Sequence, residues 1–389
     1  MIETRDLSLD IGATPILRQV SLSLAPGRIL GLVGESGSGK SMTALSILRL
    51  LPRAARLSGS VRLGEEELTA LSERRMCGVR GARIGMIFQE PMTALNPVQT
   101  IGDQVAETLL VHGVTHRSEA RRIAEERLAR VGLTPDRFPL SRYPHELSGG
   151  QRQRVCIALA IALRPELLIA DEPTTALDVT TQAQILALLK ELVDDEGMAL
   201  MLITHDLAVV AQMADEIAVM KSGEVVEQGA AAEVLRERRH PYTRALFAAS
   251  RHQPARSPVE ARGPLVEVRE AVRTYALPRT RFLGPRPSFR AVDGVSFDIA
   301  RGESLGLVGE SGCGKSTLTR ALLGLDPLQD GAIRLDGQPV APDMPADLRR
   351  RMQVVFQDPY GSFNPRHRVA RLLAEPFHLT GRPADAEVR

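Results

Sequence analysis

The sequence predicts an α/β fold with a mostly parallel sheet. The first observation is a set of short, continuous apolar runs at 29–33, 167–170 and 199–203, which are typical of parallel strands covered on both faces. The second is the helical periodicity of segments 119–131 and 182–193. Because buried strands and helices alternate along the chain, they indicate an α/β domain.

The third observation is an internal repeat at an offset of about 270 residues, which is the size of a domain. The segment at 29–41 returns at 304–316, and the segment at 87–91 returns at 355–359. The sequence therefore predicts a tandem duplication. Its parts are a first domain with a C-terminal extension at 1–250, a linker at 251–263 and the beginning of a second domain at 264–389.

Further elements of the first domain follow from local patterns. Residues 29–33 are predicted to lead into a glycine turn, after which 42–51 has a helical pattern. Residues 119–131 place small and apolar side chains on one helix face. A turn at 221–224 lies between two strand-like runs and predicts a hairpin. The segment 239–263 is the best linker candidate, with a piece of the first domain appended.

Composition narrows the class of protein. The 389 residues exceed one typical domain, and 43% hydrophobic residues supply enough apolar material for a core in each half. A formal net charge of +2 gives no reason to expect a nucleic-acid binder held by bulk charge. Three distant cysteines argue against a disulfide framework. No signal peptide or membrane span is predicted.

The repeated glycine-rich pattern is typical of a loop that binds phosphate. Its glycines let backbone N–H groups surround phosphate oxygens, and the following helix N-terminus adds its positive dipole end. Lys40 is expected to reach the β- and γ-phosphates, and Ser41 to ligate Mg²⁺. Two matches make a chance glycine turn a poor alternative. The candidate phosphate-binding residues are Gly34, Ser36, Gly37, Gly39, Lys40 and Ser41, and in the repeat Gly309, Gly312, Gly314, Lys315, Ser316 and Thr317.

Two carboxylates follow the predicted strand at 167–170. Ligand sites of open parallel sheets lie at the carboxyl ends of the strands, which is where Asp171 and Glu172 stand. Asp171 is expected to hold Mg²⁺ through water, and Glu172 to orient and deprotonate an attacking water. The alternative is a solvated Asp-Glu turn before a proline, which the nearby phosphate loop disfavours.

The motif Ser148-Gly149-Gly150 reads as a loop followed by a helix from Gln151. A serine hydroxyl and small-residue amides at a helix start would also suit a second anion-binding nest. One nucleotide does not need two nests in one domain, so the second nest predicts contact with a partner's nucleotide.

Two further polar residues stand at predicted strand ends. His205 is either a structural cap or a contact for a γ-phosphate. Gln89 is either a simple polar strand end or a functional group, and its recurrence as Gln357 favours a function.

The order of these motifs, with Ala176-Leu177-Asp178 between the two carboxylates and His205, resembles the nucleotide-binding domain of ABC ATPases. The resemblance covers essentially all of 1–250. It implies a P-loop NTPase fold with a RecA-like parallel-sheet core, an antiparallel β subdomain and a helical signature subdomain. It also implies two domains that close head-to-tail around two ATP molecules.

The resemblance further implies individual roles. Glu172 would be the catalytic base and His205 the γ-phosphate sensor, while Gln89 would link Mg²⁺ and water to the membrane contact. Asp178 would lie at the seam between domains, and Gln357 would be the second magnesium-linked glutamine. Tyr275 would stack on adenine in the second domain. The implied cofactors are ATP and Mg²⁺, with Ser41, Gln89, Asp171, Ser316 and Gln357 around the metal.

Segments 89–97, 101–104 and 240–246 resemble the di- and oligopeptide/nickel importer ATPases, and the duplication is similar to the fused importers of glutathione-import or microcin-peptide type. This implies an ATP-hydrolysing subunit that energises import of peptides or related small solutes. The implied partners are two membrane permease subunits and, through them, an extracytoplasmic solute-binding protein. The implied location is the cytoplasmic face of the inner membrane.

The second half shows no second Ser-Gly-Gly motif, Asp-Glu strand end or switch histidine before Arg389. Scaling from the first half, a complete second domain needs about 140 more residues. Neither phosphate loop could then form a complete composite site within the chain. We expect a fragment of a protein of roughly 530 residues. The alternative is a homodimer formed through the first domain.

Two rival functions are weighed against an importer ATPase. A tandem ABC protein acting on ribosomes or DNA would fit the duplication, but the short Pro-containing linker and near-neutral charge argue against it. A P-loop kinase explains neither the motif at 148–150 nor the repeat.

Overall fold

A computed structural model describes residues 1–89, 94–113, 116–175, 177–250, 263–277, 286–310, 312–356 and 362–375. Contacts between residues divide the chain into two compact units, Met1–Pro254 and Ala255–Arg389.

The first unit contains two sheets. The antiparallel sheet has the order β2-β1-β4-β5. Its strands are β1 (Ile2–Ile11), β2 (Thr14–Leu24), β4 (Ala55–Leu63) and β5 (Glu66–Glu67). The second sheet has the order β10-β9-β3-β8-β7-β6, and only the β9–β10 pair in it is antiparallel. Its strands are β3 (Ile29–Val33), β6 (Ile84–Ile87), β7 (Leu167–Asp171), β8 (Ala199–Ile203), β9 (Glu216–Lys221) and β10 (Glu224–Ala230).

Helices cover both faces of the parallel sheet. Those of the first unit are α1 (Lys40–Ile47), α2 (Glu73–Val79), α3 (Ile101–Val111), α4 (Arg117–Arg130), α5 (Gly149–Ala160), α6 (Val179–Glu196), α7 (Leu207–Met213), α8 (Ala231–Glu237) and α9 (Pro241–Ser250). One core cluster lies between the sheet and α3 to α6, and another between the two sheets and α1. A third joins β3 and β9 to α7, α8 and α9.

The three apolar runs and the hairpin are confirmed as β3, β7, β8 and the β9–β10 pair. β3, β7 and β8 are buried at every position, as continuous apolar strands covered on both faces must be. The two helices predicted between strands are also present as α4 and α6.

Two local expectations are corrected. The helix predicted at 42–51 is α1, which ends at Ile47 because Arg49 adopts a left-handed conformation (φ 52°) and Leu50 N–H donates to Leu45 O, closing the helix end. The helix expected from Gln151 begins at Gly149 instead. Within the segment 239–263, α9 is a piece of the first unit, as expected, and packs in the third core cluster. The linker predicted at 251–263 lies outside the described residues except for Gly263.

The second unit contains an antiparallel sheet of order β12-β11-β13-β14. Its elements are β11 (Pro264–Ala276), β12 (Ser288–Ala300), α10 (Lys315–Leu322), β13 (Asp330–Leu335), β14 (Gln338–Pro339), α11 (Ala346–Arg349) and α12 (Val369–Ala374). The strand that the repeat predicts at 304–308 does not form. Val308 is 89% exposed, whereas its counterpart Val33 is fully buried.

The physical reason lies in the neighbours of that strand. In the first unit, β3 is hydrogen-bonded between β8 and β9. Among the described residues of the second unit, no strand corresponds to β8 or β9. A single extended segment without paired neighbours has unpaired backbone groups and is not a stable strand in water.

Candidate active site

The loop between β3 and α1 surrounds the Lys40 ammonium. Its Nζ donates to Gly34 O at 2.9 Å and to Glu35 O at 2.8 Å. Burial lowers the pKa of Lys40, although the charges of Glu172 and Asp171 oppose the shift. The lysine is therefore held by weak neutral acceptors at the point where an anion would be a stronger partner.

The glycines of this loop make close backbone contacts. A Cβ on Gly34 would stand 2.3 Å from Met220 O, so no side chain fits there. Gly37 and Gly39 adopt positive φ of 80° and 104°. Ser36, immediately before Gly37, lies in the exposed part of the loop. Lys40 and Ser41 begin α1, so the loop and a helix N-terminus present their amides together.

Asp171 ends β7 and is 4% exposed. Burial raises the pKa of its carboxyl group, opposed by a hydrogen bond from Ser41. Its Oδ1 atom is buried without a hydrogen-bond partner among the described residues. A carboxylate oxygen and a serine hydroxyl side by side are hard oxygen ligands of the kind that Mg²⁺ takes together with nucleotide phosphates. In the described part of the chain, no three or more His, Cys, Asp or Glu side chains gather into a metal site of their own.

Glu172 lies at the centre of a hydrogen-bonded cluster. Its Oε2 accepts from Gln89 Nε2 at 3.0 Å and from Thr175 Oγ1 at 2.9 Å. Its Oε1 lies 3.1 Å from Nδ1 of His205. Glu172 itself has a positive φ of 48°, an uncommon conformation for this residue type. The carboxylate is thus fixed by three side chains from three different strand ends.

The charge state of Glu172 follows from these contacts. Burial raises its pKa, but the hydrogen bonds from His205, Thr175 and Gln89 outweigh burial, and the net shift is downward. The carboxylate is therefore ionised at neutral pH and able to accept a proton. His205 is 66% exposed at its side chain, which leaves the imidazole open to a ligand from solvent.

The motif at 148–150 is the N-terminus of α5. Ser148 Oγ accepts from Gln151 N–H at 3.3 Å, and Gln151 Oε1 accepts from Ser148 N–H at 2.9 Å. This capping box moves the helix start to Gly149. Ser148 is exposed, so the anion-binding nest predicted here faces away from its own unit's core.

Asp178 precedes α6, the helix whose Thr181 lies against Gly150 of the same motif. Its carboxylate caps α6 by accepting from Thr181 N–H at 3.0 Å and from Thr181 Oγ1 at 2.8 Å. A Cβ on Gly150 would stand 2.4 Å from Thr181 Cγ2, so α5 and α6 touch at a point where a larger residue would collide with Thr181. Ala176, before Asp178, lies outside the described residues.

The loop of the second unit repeats the arrangement of the first. Lys315 Nζ donates to Gly309 O and to Glu310 O, each at 2.6 Å. Gly312 and Gly314 have positive φ. Ser316 and Thr317 follow in the first turn of α10. Gln357, the predicted counterpart of Gln89, lies outside the described residues.

Tyr275 lies on β11, where its ring is covered by Arg273 at 4.7 Å and its hydroxyl donates to Asp326 at 3.4 Å. One ring face is therefore occupied by a guanidinium group.

These features match a family model described as ABC transporter over residues 17–175 and 292–387. The chain belongs to the ABC transporter family. The ABC match includes both phosphate loops, which accounts for the internal repeat.

Two curated ABC proteins are similar over most of the chain. It is 45% identical to the "Peptidoglycan transport ATP-binding protein YejF" of Agrobacterium fabrum, covering 100% of this chain and 73% of that protein. It is 44% identical to the "Glutathione import ATP-binding protein GsiA" of Escherichia coli, covering 94% of this chain and 64% of that protein. The chain thus spans about two thirds to three quarters of the length of these relatives.

Solved ABC structures share the fold. A dimeric ATP-binding cassette, MJ0796, in a post-hydrolysis state bound to ADP and Pi matches with a TM-score of 0.53 and 31% identity, over 59% of this chain and 99% of that one. The protein cbiO1 of Clostridium perfringens matches with a TM-score of 0.53 and 25% identity, over 64% of this chain and 94% of that one.

Sequence reasoning missed two residues at the ABC site. Thr175 belongs to none of the sequence motifs, although its spacing of three residues from Glu172 places both in one turn. Tyr242 lies within the segment 240–246, and its hydroxyl accepts from Glu35 N–H of the phosphate loop at 3.1 Å. Residues 242 and 35 are too far apart in sequence for a local pattern to indicate the contact.

Proposed function

We propose that this chain is an ATP-hydrolysing, energy-coupling subunit of an ABC importer for peptides or related small solutes. The observation that carries the ATP-hydrolysing part of the proposal is the ionised Glu172 carboxylate, oriented by three side chains, one residue beyond buried Asp171. A general base must be ionised and held in place to take a proton from water.

In the proposed mechanism, each site residue of the first unit has a distinct role in binding or hydrolysing ATP. Lys40 and the loop amides bind the β- and γ-phosphates, and Lys40 exchanges its carbonyl partners for phosphate oxygens. Ser41 and Asp171 would hold Mg²⁺, which would neutralise charge on the phosphates. Glu172 accepts the proton of the attacking water, Gln89 orients the Glu172 carboxylate, and His205 senses the γ-phosphate.

The proposed catalytic site is completed by a second nucleotide-binding surface. Support comes from the exposed Ser148 motif at the start of α5 and from the dimeric state named for one similar cassette. An ATP molecule lies between one phosphate loop and the other surface's Ser148-Gly149-Gly150. Asp178 then lies near the seam, because it caps the helix that contacts Gly150.

The importer assignment rests on the relatives. Two of them are named for peptidoglycan transport and glutathione import. We propose two membrane permease subunits and, through them, an extracytoplasmic solute-binding protein as partners, with the chain at the cytoplasmic face of the inner membrane. Within the described residues, no helix combines the length and apolarity needed to span a bilayer.

ATP binding is tested by Lys40→Ala in a Lys315→Ala background, so that only the first loop is titrated. The change removes a charge-assisted contact to phosphate, and we expect ATP to bind at least about tenfold more weakly. The measurement is a fluorescence titration with a labelled ATP analogue. Lys190→Ala, an exposed lysine on α6, is the matched control and should bind as the parent does. If the Lys40→Ala variant bound the ATP analogue as tightly as the parent, the loop would not be part of the ATP-binding site.

The choice between importer and ribosome or DNA protein is tested by sedimentation. We expect the chain to sediment with inner-membrane vesicles that contain a peptide permease pair, and not with ribosomes or DNA at physiological salt. Vesicles without the permeases are the control. Sedimentation with ribosomes alone would favour the rival function.

A further inference from the structure

The phosphate loop is contacted from outside the nucleotide-binding core by Tyr242. This residue is the second of helix α9, and its Oη accepts from Glu35 N–H at 3.1 Å. Tyr242 is 8% exposed, so its hydroxyl is directed inward, to the loop, and not to solvent.

The contact acts on the peptide group that also holds Lys40. Glu35 N–H and Gly34 O belong to one planar peptide group, whose N–H and C=O point in opposite directions. The N–H donates to Tyr242, and the carbonyl accepts from Lys40 Nζ at 2.9 Å. Fixing the N–H end therefore also fixes the direction of the carbonyl end, and with it the course of the loop backbone around Lys40.

Tyr242 is itself held rigidly. Its ring packs in the core cluster that contains Val33, the last residue of β3. Lys221 Nζ lies 5.0 Å from the ring centroid, a cation–π contact. The start of α9 is tied down because His240 N–H donates to Glu227 Oε2 at 3.0 Å. These contacts hold the Tyr242 hydroxyl in a fixed position relative to the phosphate loop.

We infer that Tyr242 is a positioning residue that holds the phosphate loop in its ligand-ready shape, so that α9 contributes to ATP affinity. The inference rests on the proposed ATP-binding function. Without the hydroxyl, the Gly34–Glu35 peptide loses the hydrogen bond at its N–H end, and part of the ATP-binding energy must be used to order the loop. The hydroxyl acts on the site through the loop backbone, at Glu35 N–H.

The test compares Tyr242→Phe with the parent in the full chain carrying Lys315→Ala. The hydroxyl contributes one neutral hydrogen bond, so we expect a labelled ATP analogue to bind about threefold to tenfold more weakly. The ring remains packed, so the thermal midpoint without nucleotide should fall by less than about 3 °C. Hydrogen exchange at the loop peptide covering Glu35, followed by mass spectrometry, should become faster.

Two variants serve as controls. Tyr143→Phe removes the hydroxyl of an exposed tyrosine and should change none of the three readouts. Tyr242→Leu removes ring and hydroxyl and should lower both affinity and thermal midpoint. An unchanged affinity and exchange rate in Tyr242→Phe would overturn the inference while leaving ATP binding in place. A parent chain that binds no ATP would instead contradict the proposed function.

Discussion

Replacing Glu172 with glutamine is expected to stop ATP turnover while leaving ATP binding intact. Glutamine keeps the shape of the side chain and an oxygen for the donors Gln89 and Thr175, but it cannot take a proton from water. Loss of a general base costs at least about a hundredfold in rate. Steady-state phosphate release measures turnover, and titration with labelled ATP measures binding.

The matched control is Glu166→Gln, just before the first residue of β7, the strand that ends at Asp171. Glu166 is exposed and pairs with Arg83, so its loss removes only a surface ion pair worth about 0–1 kcal/mol of folding stability. Turnover should remain at the parental rate. If Glu172→Gln hydrolysed ATP as fast as this control, Glu172 would not be the base.

The part of the site that could be predicted from sequence is the part built at strand ends. Lys40, Asp171 and Glu172 follow continuous apolar runs, and the carboxyl ends of neighbouring parallel strands meet at one edge of a sheet. Motif spacing therefore determined which residues come together. The helix start at Gly149 could also have been predicted, because Ser148 and Gln151 have the spacing of a capping box.

Two features could not be read from local pattern. The contact of Tyr242 with Glu35 arises from the packing of α9 against β3 and β9. The segment 304–308 has nearly the same residues as β3 but forms no strand, because β3 owes its hydrogen bonds to β8 and β9. Whether a segment forms a buried parallel strand depends on its neighbouring strands as much as on its own residues.

The apolar side chains of segment 304–308 are exposed, which also follows from the absence of neighbouring strands among the described residues. Leu305, Leu307 and Val308 are 46%, 45% and 89% exposed, although such residues are usually buried. Lys315 nevertheless makes the same carbonyl contacts as Lys40. The lysine–carbonyl contacts of the phosphate loop thus form without a paired strand before the loop, whereas the strand itself requires neighbouring strands.

Replacing Asp171 with asparagine is expected to stabilise the metal-free protein and to weaken magnesium-dependent ATP binding. The carboxylate is 4% exposed, and its Oδ1 lacks a partner among the described residues, so the folded state carries the cost of a buried charge. Burial accordingly raises the pKa of Asp171. A raised pKa means that ionised Asp171 reduces stability at pH values above its unfolded pKa. Neutral asparagine removes that cost at pH 7.

The same change removes the hard oxygen charge that Mg²⁺ requires, so we expect the apparent magnesium affinity in the presence of ATP to fall about a hundredfold. Thermal unfolding without metal and a magnesium titration with labelled ATP measure the two effects. Asp195→Asn, an exposed acid near the end of α6 paired with Arg130, should alter neither. A destabilised Asp171→Asn variant that still binds magnesium normally would mean that the carboxylate is a structural group. A variant that is more stable but binds magnesium more weakly would instead show that the carboxylate lowers folding stability and serves to bind the metal.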